Sequence, residues 1–201
     1  FVQLQETLAL GNFGKLKYIE SERLSLGKVR KQEDVIWSFA PHDISMILSL
    51  MGHLPRYVSA FSSKILQQEI SDIANINLDF ESIRANISVS WLSPQKKQKL
   101  SLFFKDSVVI FDDMQDWDKK ITIYNQKVDL GDEMPSFNKS EPIHLKINKQ
   151  EPLKNECKYF LDLIKGDKPP LTDGHEGLKV LKVMNAASES IKYGKKIRIS
   201  K

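Results

Sequence analysis

The segment "VIWSFAPHDISMILSLMG" (35–52) places a histidine and an aspartate, His42 and Asp43, directly behind Pro41 at the head of an apolar run. Proline lacks an N–H and clashes with the preceding turn, so it is not expected deep inside a helix. This predicts a helix that starts just before Pro41, with Ser38 as its N-cap and His42 and Asp43 in or just past its first turn. Ile44, Ile47, Leu48 and Met51 then form its buried stripe. The positive helix end near His42 would favour the neutral imidazole, a general base for a nearby hydroxyl. The competing reading is a histidine that only caps or packs.

Other chemistries have little support. Neighbouring side chains at 42 and 43 diverge, and His53, His144 and His175 show no ligand spacing, so no metal is expected. There is no G-x-S-x-G, P-loop lysine or G-x-G-x-x-G. Cys157 falls on an apolar helical stripe and reads as packing. Asp112 and Asp113 read as a solvated turn, and Trp91, at a strand end, as core.

The chain around these residues has 201 residues, 41% of them hydrophobic and 28% charged, enough for a single domain over 1–201 with its own core. One cysteine precludes an internal disulfide and fits a cytoplasmic location. No run approaches a membrane span, and no secretion signal opens the chain. The net charge of +4 hints at nucleic acid. Only five of the 30 basic residues are arginine, however, and the lysines lack interleaved aromatics. A solvated lysine coat explains the charge, so neither nucleic acid nor membrane is expected as a partner.

A helix is expected over 1–12, beginning at Phe1 without a cap, as if something upstream had been removed. The stretch "KLKYIESERLSLG" reads as a strand running into a loop. After the Pro41 helix the period changes to two. "YVSAFSSKI", "ISDIANINLDF", "SIRANISVSW", "KLSLFF", "SVVIF", "KITIY" and "IHLKI" read as strands with one apolar and one polar face. Asp72 is an exception on the apolar side of the second run. The irregular parts, 112–118 and 129–142, read as loops.

Two helices are expected to cover the sheet. One has the stripe Leu153, Cys157, Phe160, Leu161, Ile164; the other has Val180, Leu181, Met184, Ala187, Ile191, with Asp173 as N-cap. "KKIRIS" closes as a last strand. The expected class is α+β: an open, mostly antiparallel sheet with helices packed on one face.

The order of "GKLKYIESERLSLG", the W-x-x-x-P-H-D helix, "SVSWLSPQKKQKLSLFFKDSVVIFDD" and the E-P-L-K-x-E helix resembles the C-terminal domain of the Gfo/Idh/MocA oxidoreductases over nearly the whole chain. Within that family it looks most like members acting on sugars and nucleotide sugars. The resemblance implies a glyceraldehyde-3-phosphate dehydrogenase-like C-terminal domain and an N-terminal Rossmann domain, absent here, that binds NAD or NADP. It also implies oxidation or reduction of a secondary alcohol or ketone on a sugar ring. The hydride exchanges with the nicotinamide, and His42 is the acid/base.

Many members carry an Asp four residues before that histidine; here the position is Ser38. Ser38, Asp43 and Arg23 are the implied substrate-side residues, and Arg23 could pair with a carboxylate or diphosphate. The polar face Arg84, Asn86, Ser88, Ser90 implies a homo-oligomer, dimer or tetramer, through the open sheet. Serine at 38 keeps a non-catalytic binding or dimerisation module on the same fold as the alternative.

Overall fold

The computed structural model of the chain describes residues 1–11, 13–27, 29–129, 131, 134–166, 170 and 172–199. Helix α1 spans Val2–Leu10, followed by β1 (Tyr18–Leu26) and α2 (Val35–Met51). Strands β2 (Tyr57–Ser63), β3 (Ile73–Asp79), β4 (Arg84–Ser90), β5 (Leu92–Phe103), β6 (Ser107–Asp112) and β7 (Ile121–Asp129) follow. The chain then forms β8 (Ser136–Lys139), β9 (Ile143–Leu145), α3 (Pro152–Ile164), α4 (Gly174–Tyr193) and β10 (Ile197–Arg198). Asn12, at the end of the helix expected over 1–12, and residues 200–201 of the closing basic run lie outside the described residues.

Alternating side chains make the strands, and the sheet runs β10-β2-β3-β4-β1-β5-β6-β7-β8, with β9 also on β7. Every pair is antiparallel except β1 with β4. The expected α+β architecture with an open, mostly antiparallel sheet is therefore what forms. The core lies between one sheet face and helices α2 and α4. Ile19, Ile76, Ile87 and Leu100 meet Ile44 and Ile47 there, with no exposed surface left on any of them. Strand β1 is wedged between β4 and β5, which are joined in sequence only by Trp91.

Asp72, the polar exception on an apolar face, is fully buried because it holds that joint. Its carboxylate accepts from Trp91 Nε1 at 2.6 Å and from the amides of Ile65 and Leu66 at 2.7 and 2.8 Å. Burial pushes its pKa up, but the bonds from Leu66, Trp91 and Ile65 outweigh it and hold the carboxyl below its ordinary value.

Four expectations need correction. Helix α2 begins at Val35, not beside Pro41, because Asp34 caps it: its carboxylate accepts from the amides of Ile36 and Trp37. Pro41 lies inside the helix, at the cost of the bond its N–H would have made to the Trp37 carbonyl. Helix α3 forms where expected but does not bury its apolar stripe. Leu153, Phe160, Leu161 and Ile164 of its stripe are exposed, and so is Cys157. Helix α4 is rolled relative to the expected stripe, so that Val183, Met184, Ala186 and Ala187 are buried while Leu181 is left exposed. Part of the expected loop 129–142 is strand: β8 pairs with β7, matching Val128 with Phe137.

Candidate functional site

Strand β1 presents Ser21 and Arg23 to the helix face, since both side chains reach Asp43 on α2. Asp43 is 1% exposed and its carboxylate is fully engaged. Ser21 Oγ donates to Oδ1 at 2.6 Å, and Arg23 Nε donates to Oδ2 at 2.6 Å. A second Arg23 nitrogen approaches Oδ1 at 3.5 Å. A buried carboxylate is tolerable only with such partners. The consequence is a guanidinium held at its Nε edge, its side chain still 17% exposed and lining a cavity.

That cavity, about 1090 Å³, lies between α2, α4 and the β1–β5–β6 end of the sheet. Its polar lining includes Arg23, His42, Ser45, Gln98 and Asp113. Gln98 is the cross-strand partner of Arg23, and its carbonyl accepts from the Asp113 amide at 2.9 Å. The apolar lining includes Trp37, Met46, Leu178, Leu181 and Met184. A large concave pocket with a few convergent polar groups is the usual form of a small-molecule site.

His42 is exposed and lines this cavity. It is the eighth residue of α2 counted from Val35, so it does not lie beside the positive helix end as expected. Arg23 lines the same cavity. Asp43 does not: it is sealed beneath, where it can hold Arg23 but not reach a ligand. Ser38 sits one turn before His42 and is not part of the cavity lining.

On β4, Arg84 is exposed and Asn86 and Ser88 are half-buried. Ser88 Oγ donates to Asn75 Oδ1 of β3 at 2.6 Å. Ser90 is buried, and its hydroxyl accepts from the Leu92 amide, which leaves it little to offer a partner. Next to this row, Glu22 alternates away from Arg23 and pairs with Lys97 and Lys99 at 3.2 and 3.1 Å. Partial burial pushes the Glu22 pKa up, but the two lysines overcome it and hold the carboxyl below its ordinary value.

Trp37, Gln98 and the pair Leu178 and Leu181 were not singled out as site residues. The spacing of Leu178 and Leu181 on α4 was visible; the pairing of Gln98 with Arg23 required the sheet register. Among the described residues no group of three or more His, Cys, Asp or Glu side chains could hold a metal, and no helix is long and apolar enough to cross a membrane. Nor do these residues build a cradle for a dinucleotide. The one parallel strand pair, β1 and β4, is not part of a glycine-rich strand–turn–helix unit.

The fold is an open, mostly antiparallel sheet with helices on one face, and comparison with known proteins says which family it belongs to. Residues 6–199 match the C-terminal α/β domain of the Gfo/Idh/MocA oxidoreductase family, and the chain belongs to that family. A curated relative, the UDP-N-acetylglucosamine 3-dehydrogenase of Acidithiobacillus ferrooxidans, is 26% identical over 176 residues, covering 87% of this chain and 54% of the relative.

Among solved structures, that organism's UDP-N-acetylglucosamine 3-dehydrogenase GnnA aligns with a TM-score of 0.73 at 23% identity, over 93% of this chain and 58% of its own. An NAD-binding protein from Listeria innocua aligns with a TM-score of 0.73 at 16% identity, over 97% and 62%. At these identities the solved structures establish the fold. The chain spans little more than half the length of the curated relative.

Proposed function

We propose that this chain is the substrate-binding and oligomerisation domain of an oxidoreductase that interconverts a secondary alcohol and a ketone on a sugar or nucleotide sugar. The observation that carries the reading is His42, without a hydrogen-bond partner among the described residues and exposed on the wall of a cavity that also holds the clamped Arg23. Removing two hydrogens from a secondary alcohol releases a proton and a hydride. His42 takes the proton as general base, or returns it in reduction. Arg23 anchors a carboxylate or diphosphate of the substrate through the guanidinium nitrogens that Asp43 leaves free.

The hydride acceptor, NAD or NADP, is assigned in this reading to the additional length that the relatives possess, since the described residues contain no glycine-rich strand–turn–helix unit. The curated relative's activity supports a nucleotide sugar as substrate. The row Arg84, Asn86 and Ser88 on the uncovered sheet face supports association of two copies there, with Ser90 contributing only its packing.

The test is kinetic. In the intact protein, assayed with UDP-N-acetylglucosamine and NAD, His42→Ala should lower turnover by roughly 10²–10⁴-fold. Cofactor affinity should not change. Unchanged turnover would demote His42 to packing, whereas no turnover in the unsubstituted intact protein would favour the non-catalytic binding module that serine at 38 keeps open.

A further inference from the structure

The geometry points to Trp37 as the ring-stacking platform of this cavity, the residue that selects ligands with a flat, weakly polar face. The inference rests on reading the cavity as the substrate site. Trp37 is 36% exposed and lines the cavity, the most exposed large apolar side chain of a helix whose Ile36, Ile44, Ile47 and Leu48 are buried. Its indole N–H, the ring's only donor, is already bonded to Ser188 Oγ of α4 at 3.2 Å. Its backbone amide is bonded to Asp34 Oδ1 at 3.1 Å.

The helix cap fixes the backbone that carries the ring, the bond to Ser188 holds its edge, and the ring's hydrogen-bonding capacity is used within the protein. What remains for a ligand is the ring surface. Met46, Leu178 and Leu181 extend the apolar lining, so water competes poorly for a face laid there. Arg23, His42 and Gln98 line the same cavity and can take polar substituents.

Trp37 stands five residues before His42, about 7.5 Å along the helix axis. A ring whose hydroxyl meets His42 thus places either its own far side or the next group of the ligand near Trp37. Two rings of a nucleotide sugar have the required chemistry: the base, through its π face, and the hexose, through its C–H face. Both present a flat surface that an indole recognises without hydrogen bonds.

The experiment is a titration of the intact protein with UDP-N-acetylglucosamine, then with uridine 5′-diphosphate and with N-acetylglucosamine 1-phosphate. Trp37→Ala should weaken UDP-N-acetylglucosamine binding about tenfold, and Trp37→Phe, which keeps an aromatic face, by less than about threefold. Whichever fragment loses affinity in Trp37→Ala identifies the ring that stacks. In the unsubstituted protein, the ¹⁵N-indole resonance of Trp37 should move on titration while that of the buried Trp91 stays in place. This keeps the inference testable even if the variants fold poorly. Wild-type affinity in Trp37→Ala, or an unmoved Trp37 resonance in a protein that binds the ligand, overturns the platform and leaves the substrate reading intact. A wild-type protein that binds none of the three ligands overturns the nucleotide-sugar reading, and the platform with it.

Discussion

Helices α2 and α3 both carry an apolar stripe, yet α2 buries Ile36, Ile44 and Ile47 completely while α3 leaves Leu153, Phe160 and Ile164 in solvent. The difference lies in what each helix faces. Helix α2 lies on β1 and β4, and even its acidic residue Asp43 finds two partners there. Helix α3 touches the rest of the chain through other residues. Asn155, Tyr159 and Asp162 line a cleft with Phe1, Val2 and Trp117. An amphipathic pattern thus states that one side of a helix requires cover without stating which surface supplies it.

The comparison can be broken most decisively at Asp43. Asp43→Ala leaves the Arg23 guanidinium without its buried partner and should cost about 3–5 kcal/mol, read from urea unfolding. Ile47→Ala opens a cavity in a fully packed site and should cost about 2–5 kcal/mol in the same assay.

Acid should act next, through Asp72 under the N-terminal end of α2. Its folded-state pKa is depressed, so its contribution is fully present above the ordinary carboxylate value. As pH falls from that value through the lower folded-state one, the unfolded chain binds the extra proton and the contribution is lost. Unfolding followed by circular dichroism should therefore show stability declining below about pH 4, and Asp72→Asn should flatten that slope. Asp34→Ala removes the α2 cap and should cost about 1 kcal/mol. Phe160→Ser on α3 should change the stability of this chain by less than about 0.5 kcal/mol. A larger cost for Phe160→Ser in the intact protein than in the chain alone would show that α3 is covered there.

Periodicity made most strands legible, because alternation of the kind in "SIRANISVSW" has only one reading once a face is buried. It did not reveal β8, whose four residues are too few to alternate convincingly. Pro41 misled the placement of α2: proline is costly inside a helix, but Ile36, Ala40, Ile44 and Ile47 recover far more by packing than one lost bond removes. Of the candidate site, Arg23 and His42 were legible and share the cavity. Asp43 was legible as a partner of the site but belongs beneath it. Trp37 was legible as the first residue of the W-x-x-x-P-H-D motif, but its place in the cavity, like that of Gln98, required helix packing and strand register, which a linear motif does not encode.

The wedging of β1 between β4 and β5 also sets a timetable for synthesis. Tyr18 pairs with Arg84 on one side and Phe103 on the other, so the strand has neither neighbour until β4 is complete at Ser90, and lacks the second until β5 is complete at Phe103. At ribosomal rates of about 5–20 residues per second, β1 waits roughly 3–13 s with both edges open after it is made. During that interval the charges of Glu20, Glu22 and Arg23 oppose edge-to-edge pairing of the nascent strand.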